Sequence, residues 1–183
     1  MARPTLIVFA RSPAIGVGKT RLARDIGRVE AWRVYRAMSA RLLWALRDPR
    51  WTVVVRLEGR RLDAAWPRLI TEPQGRGDLG ERLTRAIRSH ARNGAVVIGT
   101  DAPDVTRARL AKAFRASDAI GPATDGGFWL LALGAARARR VRLDDIRWSS
   151  AHTLADTLSV LGPLTELETL TDVDDGPTYR SSR

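Results

Sequence analysis

Cysteine is missing from this 183-residue chain, histidine occurs twice, and lysine occurs only at Lys19 and Lys112. Without cysteine there are no disulfides, thiolate metal sites or cysteine nucleophiles. With only His90 and His152 as nitrogen donors, a bound metal has to be held largely by oxygen, which points to Mg2+ or Mn2+ over zinc. No run of eighteen apolar residues occurs, so no membrane-spanning helix is expected. The start, Met1-Ala2-Arg3-Pro4, leads into a strand-like segment and not a signal peptide, and a soluble cytoplasmic protein is the expectation. Blocks of like charge are missing as well. The net charge of +11 invites a nucleic-acid partner, but the arginines are scattered over every segment, with no aromatic-studded basic strand to stack bases. That distribution argues for a solvated basic surface and against nucleic acid.

What is present is an apolar content of 44%, enough for a real core, with no internal repeat or linker, so residues 1–183 are expected to form one domain. The run Ala95-Val96-Val97-Ile98 ends abruptly in Gly99-Thr100-Asp101-Ala102-Pro103-Asp104. Continuous apolar runs of this kind suit parallel strands covered on both faces, whose carboxyl ends point into a shared crevice where ligands bind. Asp101 is therefore the candidate ligand-site carboxylate, and Asp104 a cap or turn residue for a helix over residues 106–115.

Further strands are expected at residues 5–10, 51–57, 68–71, 118–121 and 128–133, and helices at 19–27, 30–47, 81–92 and 149–161. Along the helix over 30–47, Trp32, Tyr35, Leu42 and Leu46 form one core stripe. The link Pro122-Ala123-Thr124-Asp125-Gly126-Gly127 is too short for a parallel crossover, so the strand at 128–133 must run antiparallel and the sheet is mixed, mostly parallel. Beyond Tyr179, a frayed tail over 180–183 is expected.

Two more stretches carry chemistry. Ser12-Pro13-Ala14-Ile15-Gly16-Val17-Gly18-Lys19-Thr20-Arg21 imitates a Walker A loop, but Pro13 stands where that motif needs a glycine, which counts against a P-loop NTPase. Backbone amides with Lys19 and Arg21 at a helix start still make an anion site. In Thr124-Asp125-Gly126-Gly127-Phe128, paired glycines beside a carboxylate suit either a tight hairpin or a ligand site near Asp101.

Taken in order, Phe9-Ala10-Arg11 through Lys19-Thr20-Arg21-Leu22, Gln74 with Gly77-Asp78-Leu79-Gly80-Glu81-Arg82, the Asp101 loop, Gly121-Pro122 with Asp125-Gly126-Gly127-Phe128, Trp148, and Asp172-Val173-Asp174 resemble the bacterial DUF2064 group. This group is also called the radical-SAM/selenodomain-associated transferase 1 or arsenosugar-biosynthesis glycosyltransferase-like family, within the nucleotide-diphospho-sugar transferases. The Lys19-Thr20-Arg21-Leu22 motif is also similar to that of 2-phospho-lactate guanylyltransferases. The resemblance implies a three-layer α/β/α, Rossmann-like GT-A sandwich. It implies that Arg11, Gly16, Gly18, Lys19, Arg21, Gln74, Gly77 and Asp78 bind a nucleotide, that Asp101 and Asp174 hold Mg2+ or Mn2+, and that Asp125, Gly126, Gly127 and Trp148 border an acceptor. Where the family continues its last motif with Thr-Pro-Glu-Asp, this chain has Asp175-Gly176-Pro177-Thr178.

The function expected is transfer of a nucleotidyl or glycosyl group from a nucleoside triphosphate or nucleotide sugar to a small-molecule acceptor. Lys19 and the metal on Asp101 would do the catalytic charge neutralisation. A non-catalytic nucleotide-binding or partner-binding module is the alternative. Asp101→Asn is expected to leave the bare fold unchanged while removing metal-linked binding.

Overall fold

The computed structural model describes residues 3–59 and 63–182. Met1, Ala2 and Arg183, on which the leader and tail expectations partly rest, lie outside the described residues.

The chain enters at β1 (Thr5–Arg11), which is flanked on both sides by parallel neighbours, β2 (Thr52–Glu58) and β4 (Ala95–Ile98). β3 (Ile70–Pro73) adds to β2 in parallel. On the other side β6 (Phe128–Leu133) runs antiparallel to both β4 and β5 (Ala119–Pro122), as the short link before Phe128 requires, and β7 (Thr165–Glu166) closes the edge parallel to β5. Among the described residues the sheet thus has seven strands in the order β3-β2-β1-β4-β6-β5-β7. The chain leaves β1 toward β2 on one side and returns to pair with β4 on the other, so the crevice for ligands opens at the carboxyl ends of β1 and β4.

Side-chain alternation along β1 assigns the two faces. Leu6 and Val8 join one buried cluster with Leu42, Leu43 and Leu46 at the end of α2 (Arg28–Ala45) and with Leu110 of α4 (Arg107–Ala116). Ile7 joins another with Leu83 and Ile87 of α3 (Leu79–Ser89) and Ala138 of α5 (Ala135–Arg140), with Leu154 and Leu158 of α6 (Thr153–Leu161) packed against it. The result is an α/β fold of three layers, with a mostly parallel mixed sheet between helices. A third small cluster joins Leu22 of α1 (Thr20–Ile26) to Ala31 and Val34, with Tyr179 of α7 (Gly176–Ser181) against it.

Several local expectations need correction. Thr106 caps α4, its hydroxyl accepting from Arg109 N, while Asp104, two residues too early to cap, takes the turn position that is its other expected role. Trp32 is only half-buried, with the Arg36 guanidinium 5.9 Å from its ring, because the buried stripe of α2 runs through Ala31, Val34, Tyr35 and Leu42. The end is ordered further than expected: Arg180 and Ser181 belong to α7, whose N-cap Asp175 exchanges bonds with Thr178 in a capping box.

Candidate functional site

Lys19 ends the loop after β1, caps α1 with a left-handed backbone (φ 46°) that a lysine rarely adopts, and has a side chain only 9% exposed. It does not reach outward as a free phosphate ligand. Its ammonium lies 2.7 Å from Asp101 Oδ1 and 2.7 Å from Asp174 Oδ1, and donates to Val173 O at 2.6 Å. An ammonium has three donors, and here all three are committed. Burial by itself would lower its pKa, and the two carboxylates reverse this and raise it.

The backbone explains how such distant residues meet. Val173 N donates to Asp101 O at 2.9 Å, laying the C-terminal segment along the loop after β4. Gly176 N donates to Asp25 Oδ2 at 2.7 Å, which ties the start of α7 to α1. The departure at Asp175-Gly176-Pro177-Thr178 therefore keeps a positioning role, as the capped start of the helix that follows Asp174.

Around this clasp opens a cleft of about 540 Å3. Of the residues expected to touch a nucleotide, Arg11, Gly18, Lys19, Arg21 and Gln74 line it together with Asp101 and Asp174. Gly16, Gly77 and Asp78 do not. The Asp78 carboxylate accepts from Glu81 N while Glu81 accepts from Asp78 N, so this pair shapes the start of α3, and Gly77 (φ 101°) leaves room for the Glu81 carboxylate. Gln74 is buried, and its amide donates to Ala10 O and Arg56 O, which fastens the ends of β1 and β2. Tyr35, Glu58 and Arg82, none of them expected to touch a nucleotide, also line the cleft. Tyr35 holds the end of β1, accepting from Arg11 N and donating to Arg11 O, with Thr100 Oγ1 at 3.3 Å. Glu58 pairs with Arg11 at 2.8 Å, and Arg82 donates to Gln74 Oε1. Tyr35 reads from sequence as a core residue of α2; only the third dimension brings its hydroxyl to the β1 end.

A second cavity of about 220 Å3 shares Phe9, Leu79, Gly99 and Ser149 with the first, so the two are contiguous. Asp125, Gly127 and Trp148 line it, as does Asp172. Gly126 does not: its φ of 87° makes the turn, and its α-carbon backs onto Ala151. Asp125 Oδ1 accepts from Gly127 N, so the turn and the cavity use the same residues. Gly80 is needed behind Trp148, since an added methyl would meet Leu143 O and lie 2.8 Å from Trp148 Nε1. Gly80→Ala is expected to destabilise the fold by about 1–3 kcal/mol and to shift the Trp148 fluorescence. An unchanged urea midpoint and spectrum would refute this packing role.

Asp172 is the most perturbed carboxyl of the site, raised from 3.8 to about 7 by burial first and then by Asp101, Asp125 and Asp174, with Lys19 opposing. The folded state thus keeps a proton that the unfolded chain releases from about pH 4 upward. The stability associated with this group is greatest below pH 4 and falls as pH rises to about 7. Asp172→Asn is expected to flatten that fall and to stabilise the protein at pH 8 by about 1–3 kcal/mol, less than the full shift because water reaches the group. Urea unfolding at pH 5 and pH 8 measures it, and an equal effect at both pH values would contradict the assignment.

Among the described residues no helix is long and apolar enough to cross a membrane, and no group of three acidic or histidine side chains forms a ready metal cage.

Comparison with known proteins places these observations. No curated protein matches the chain. The crystal structure of a proposed nucleotide-diphospho-sugar transferase from Desulfovibrio desulfuricans G20 superposes with a TM-score of 0.84 at 26% identity, over 96% of this chain and 84% of that one. CMP:2-keto-3-deoxy-manno-octonic acid synthetase, solved with CTP, gives 0.58 at 12% identity over 99% and 97% of the chains. Rv0371c from Mycobacterium tuberculosis H37Rv, solved with manganese, gives 0.50 at 19% over 99% and 98%. At such identities the last two share the fold alone. The profile of the family described as "Uncharacterized protein conserved in bacteria (DUF2064)" matches residues 42–150, a stretch that includes β2 to β6, the Asp101 loop, the Asp125 turn and Trp148. With more than half of its length matched, the chain belongs to the DUF2064 family.

Proposed function

We propose that this protein is a divalent-metal-dependent transferase that takes a nucleoside triphosphate or a nucleotide-diphospho-sugar in the larger cleft and moves a nucleotidyl or glycosyl group to a small acceptor in the smaller one. The observation that carries this reading is the convergence of Asp101 and Asp174 on one cation position, at the carboxyl ends of β1 and β4, beside a cleft that Arg11, Arg21 and Arg82 also line. The likeness to the Desulfovibrio protein supports the donor class.

The donor set fits Mg2+ or Mn2+. Both converging ligands are carboxylate oxygens, Asp172 adds a third carboxyl nearby, and among the described residues Lys19 is the cation in direct contact with Asp101 and Asp174. Magnesium needs only one or two protein carboxylates when phosphates and water complete its shell, so the lack of a three-residue cage is consistent with it. Bound there, a divalent ion would supply neutralisation of charge on the phosphate oxygens. In this reading Arg11 and Arg21 hold phosphate oxygens. Lys19 holds the two carboxylates together, and its ammonium becomes free for phosphate only when another cation takes its place. Tyr35 and Gln74 fix the strand ends beneath, Gly16 lets the loop turn, and Gly77 and Asp78 act on the nucleotide only through the start of α3. The whole of residues 1–183 serves as one transferase unit.

The test is a thermal-shift titration with each nucleoside triphosphate and common nucleotide sugars, with and without Mg2+ or Mn2+. Turnover of the best binder then follows. Pyrophosphate release identifies nucleotidyl transfer, and nucleoside diphosphate release identifies glycosyl transfer. If none of these compounds stabilises the protein in the presence of either metal, the proposal fails.

A further inference from the structure

The smaller cavity differs in chemistry from the cleft it joins. One part of its wall is aromatic, with the rings of Phe128 and Trp148 at 6.2 Å and 69°. Its titratable groups are carboxyls alone, Asp125 and the proton-retaining Asp172, and among the described residues no lysine or arginine lines it. The larger cleft, by contrast, carries Arg11, Arg21 and Arg82.

Hydrogen bonding sharpens the contrast. The Ser150 hydroxyl donates to Arg147 O at 2.7 Å and accepts from His152 N, and the Thr153 hydroxyl donates to the same oxygen at 2.8 Å and accepts from Ser150 N, so neither has a proton to give a ligand. Gly127 N is taken by Asp125 Oδ1, and Trp129 Nε1 donates to Glu168 O. Asp125 Oδ2 keeps its acceptor capacity. The lining therefore offers carboxyl acceptors, with the Ser149 hydroxyl, the Trp148 indole and, below about pH 7, the Asp172 proton as its side-chain donors among the described residues. An anion here would meet the Asp125 carboxylate and, above about pH 7, that of Asp172, while the nearby Lys19 is already held between Asp101 and Asp174. That is costly in a partly desolvated pocket. A hydroxyl-rich molecule or an ammonium would satisfy the acceptors, and the aromatic faces accommodate either an apolar sugar face or a cation.

We infer that the smaller cavity takes a small, donor-rich acceptor with no anionic group, either an amine or a polyol, and rejects phosphorylated or carboxylated acceptors. At about 30 Å3 per water, 220 Å3 holds roughly seven waters, which suits a molecule no larger than a monosaccharide. The inference rests on the transferase reading for the word acceptor, and on the cavity alone for the selectivity.

Saturation-transfer NMR on the intact protein tests it with matched probes: 3,3-dimethylbutylamine against 3,3-dimethylbutanoate, and glucose against glucuronate. The amine or glucose is expected to bind in the millimolar range, with its anionic counterpart at least about tenfold weaker. The amine arm and the polyol arm distinguish the two sources of donors. Trp148→Leu, or Trp148→Phe if that variant does not fold, should weaken the bound probe at least about fivefold, placing it in this cavity. Asp125→Asn should narrow the preference over the anion at least about threefold. The inference is overturned if an anion binds as tightly as its partner, if neither 3,3-dimethylbutylamine nor glucose binds at millimolar concentration, or if the Trp148 variants bind unchanged. A nucleotide and Mg2+ titration on the same samples separates the two ideas. Selective probe binding without any nucleotide binding would retire the transferase reading and leave the cavity's selectivity standing.

Discussion

Replacing Lys19 with methionine is expected to destabilise the protein in EDTA by about 2–3 kcal/mol, and millimolar Mg2+ or Mn2+ is expected to recover much of that loss. The side chain is 9% exposed and sits between Asp101 and Asp174, whose side chains are 44% and 40% exposed. Breaking a fully buried pair by removing one partner costs about 3–5 kcal/mol, and the wet carboxylates reduce this here. Methionine preserves most of the aliphatic stem, so the change reports the charge and not a cavity. Without the ammonium, Asp101, Asp174 and Asp172 repel one another and offer a stronger site to a divalent ion, which stabilises the fold by mass action. Urea unfolding of both proteins with EDTA and with Mg2+ decides the matter. If the metal stabilises the variant no more than the unmodified protein, Lys19 does not occupy the metal's position.

The second large effect is expected at Asp101. Asp101→Asn keeps the shape of the side chain and removes its charge, so the extra stabilisation that Mg2+ plus a bound nucleotide gives should disappear. At a ligand concentration a hundredfold above Kd, that extra stabilisation is about 2.7 kcal/mol. The 2.7 Å contact with Lys19 revises the expectation that the bare fold would be untouched. Losing one of two anionic partners of a buried ammonium should cost about 1–2 kcal/mol even without ligands. Thermal melts of the two proteins, alone and with nucleotide and Mg2+, separate the two contributions. Retention of the full metal-linked shift in the variant would remove Asp101 from the metal site.

Where the physics is local, the sequence was legible. β1 and β4 are continuous apolar runs because helices cover both faces of the sheet, and the direction of β6 followed from a link too short to cross over. Two short helices were not read. α5, an alanine and arginine stretch of six residues, has no N-terminal cap signal. α7 does have one in Asp175-Gly176-Pro177-Thr178, but the same residues suit a turn, and only packing of Tyr179 against the Leu22 cluster chooses the helix.

The candidate site divides the same way. Asp101 at a strand end and the glycines of the loop before Lys19 are readable from residue type and spacing, because backbone conformation and strand burial leave local traces. What Lys19, Gln74 and Tyr35 do is not. Gln74 sits in a glycine-rich stretch that suits a ligand loop, yet its amide is buried between the ends of β1 and β2. Lys19 precedes a helix and suits a phosphate, yet it turns to two carboxylates, one of them 155 residues away along the chain. The sequence by itself determined the α/β architecture and the mixed sheet, since each depends on composition or on neighbours within a few residues. The tertiary structure alone decided which charges face one another, because ion pairing depends on distance in space and the pairing of Val173 with Asp101 leaves no local pattern in the chain.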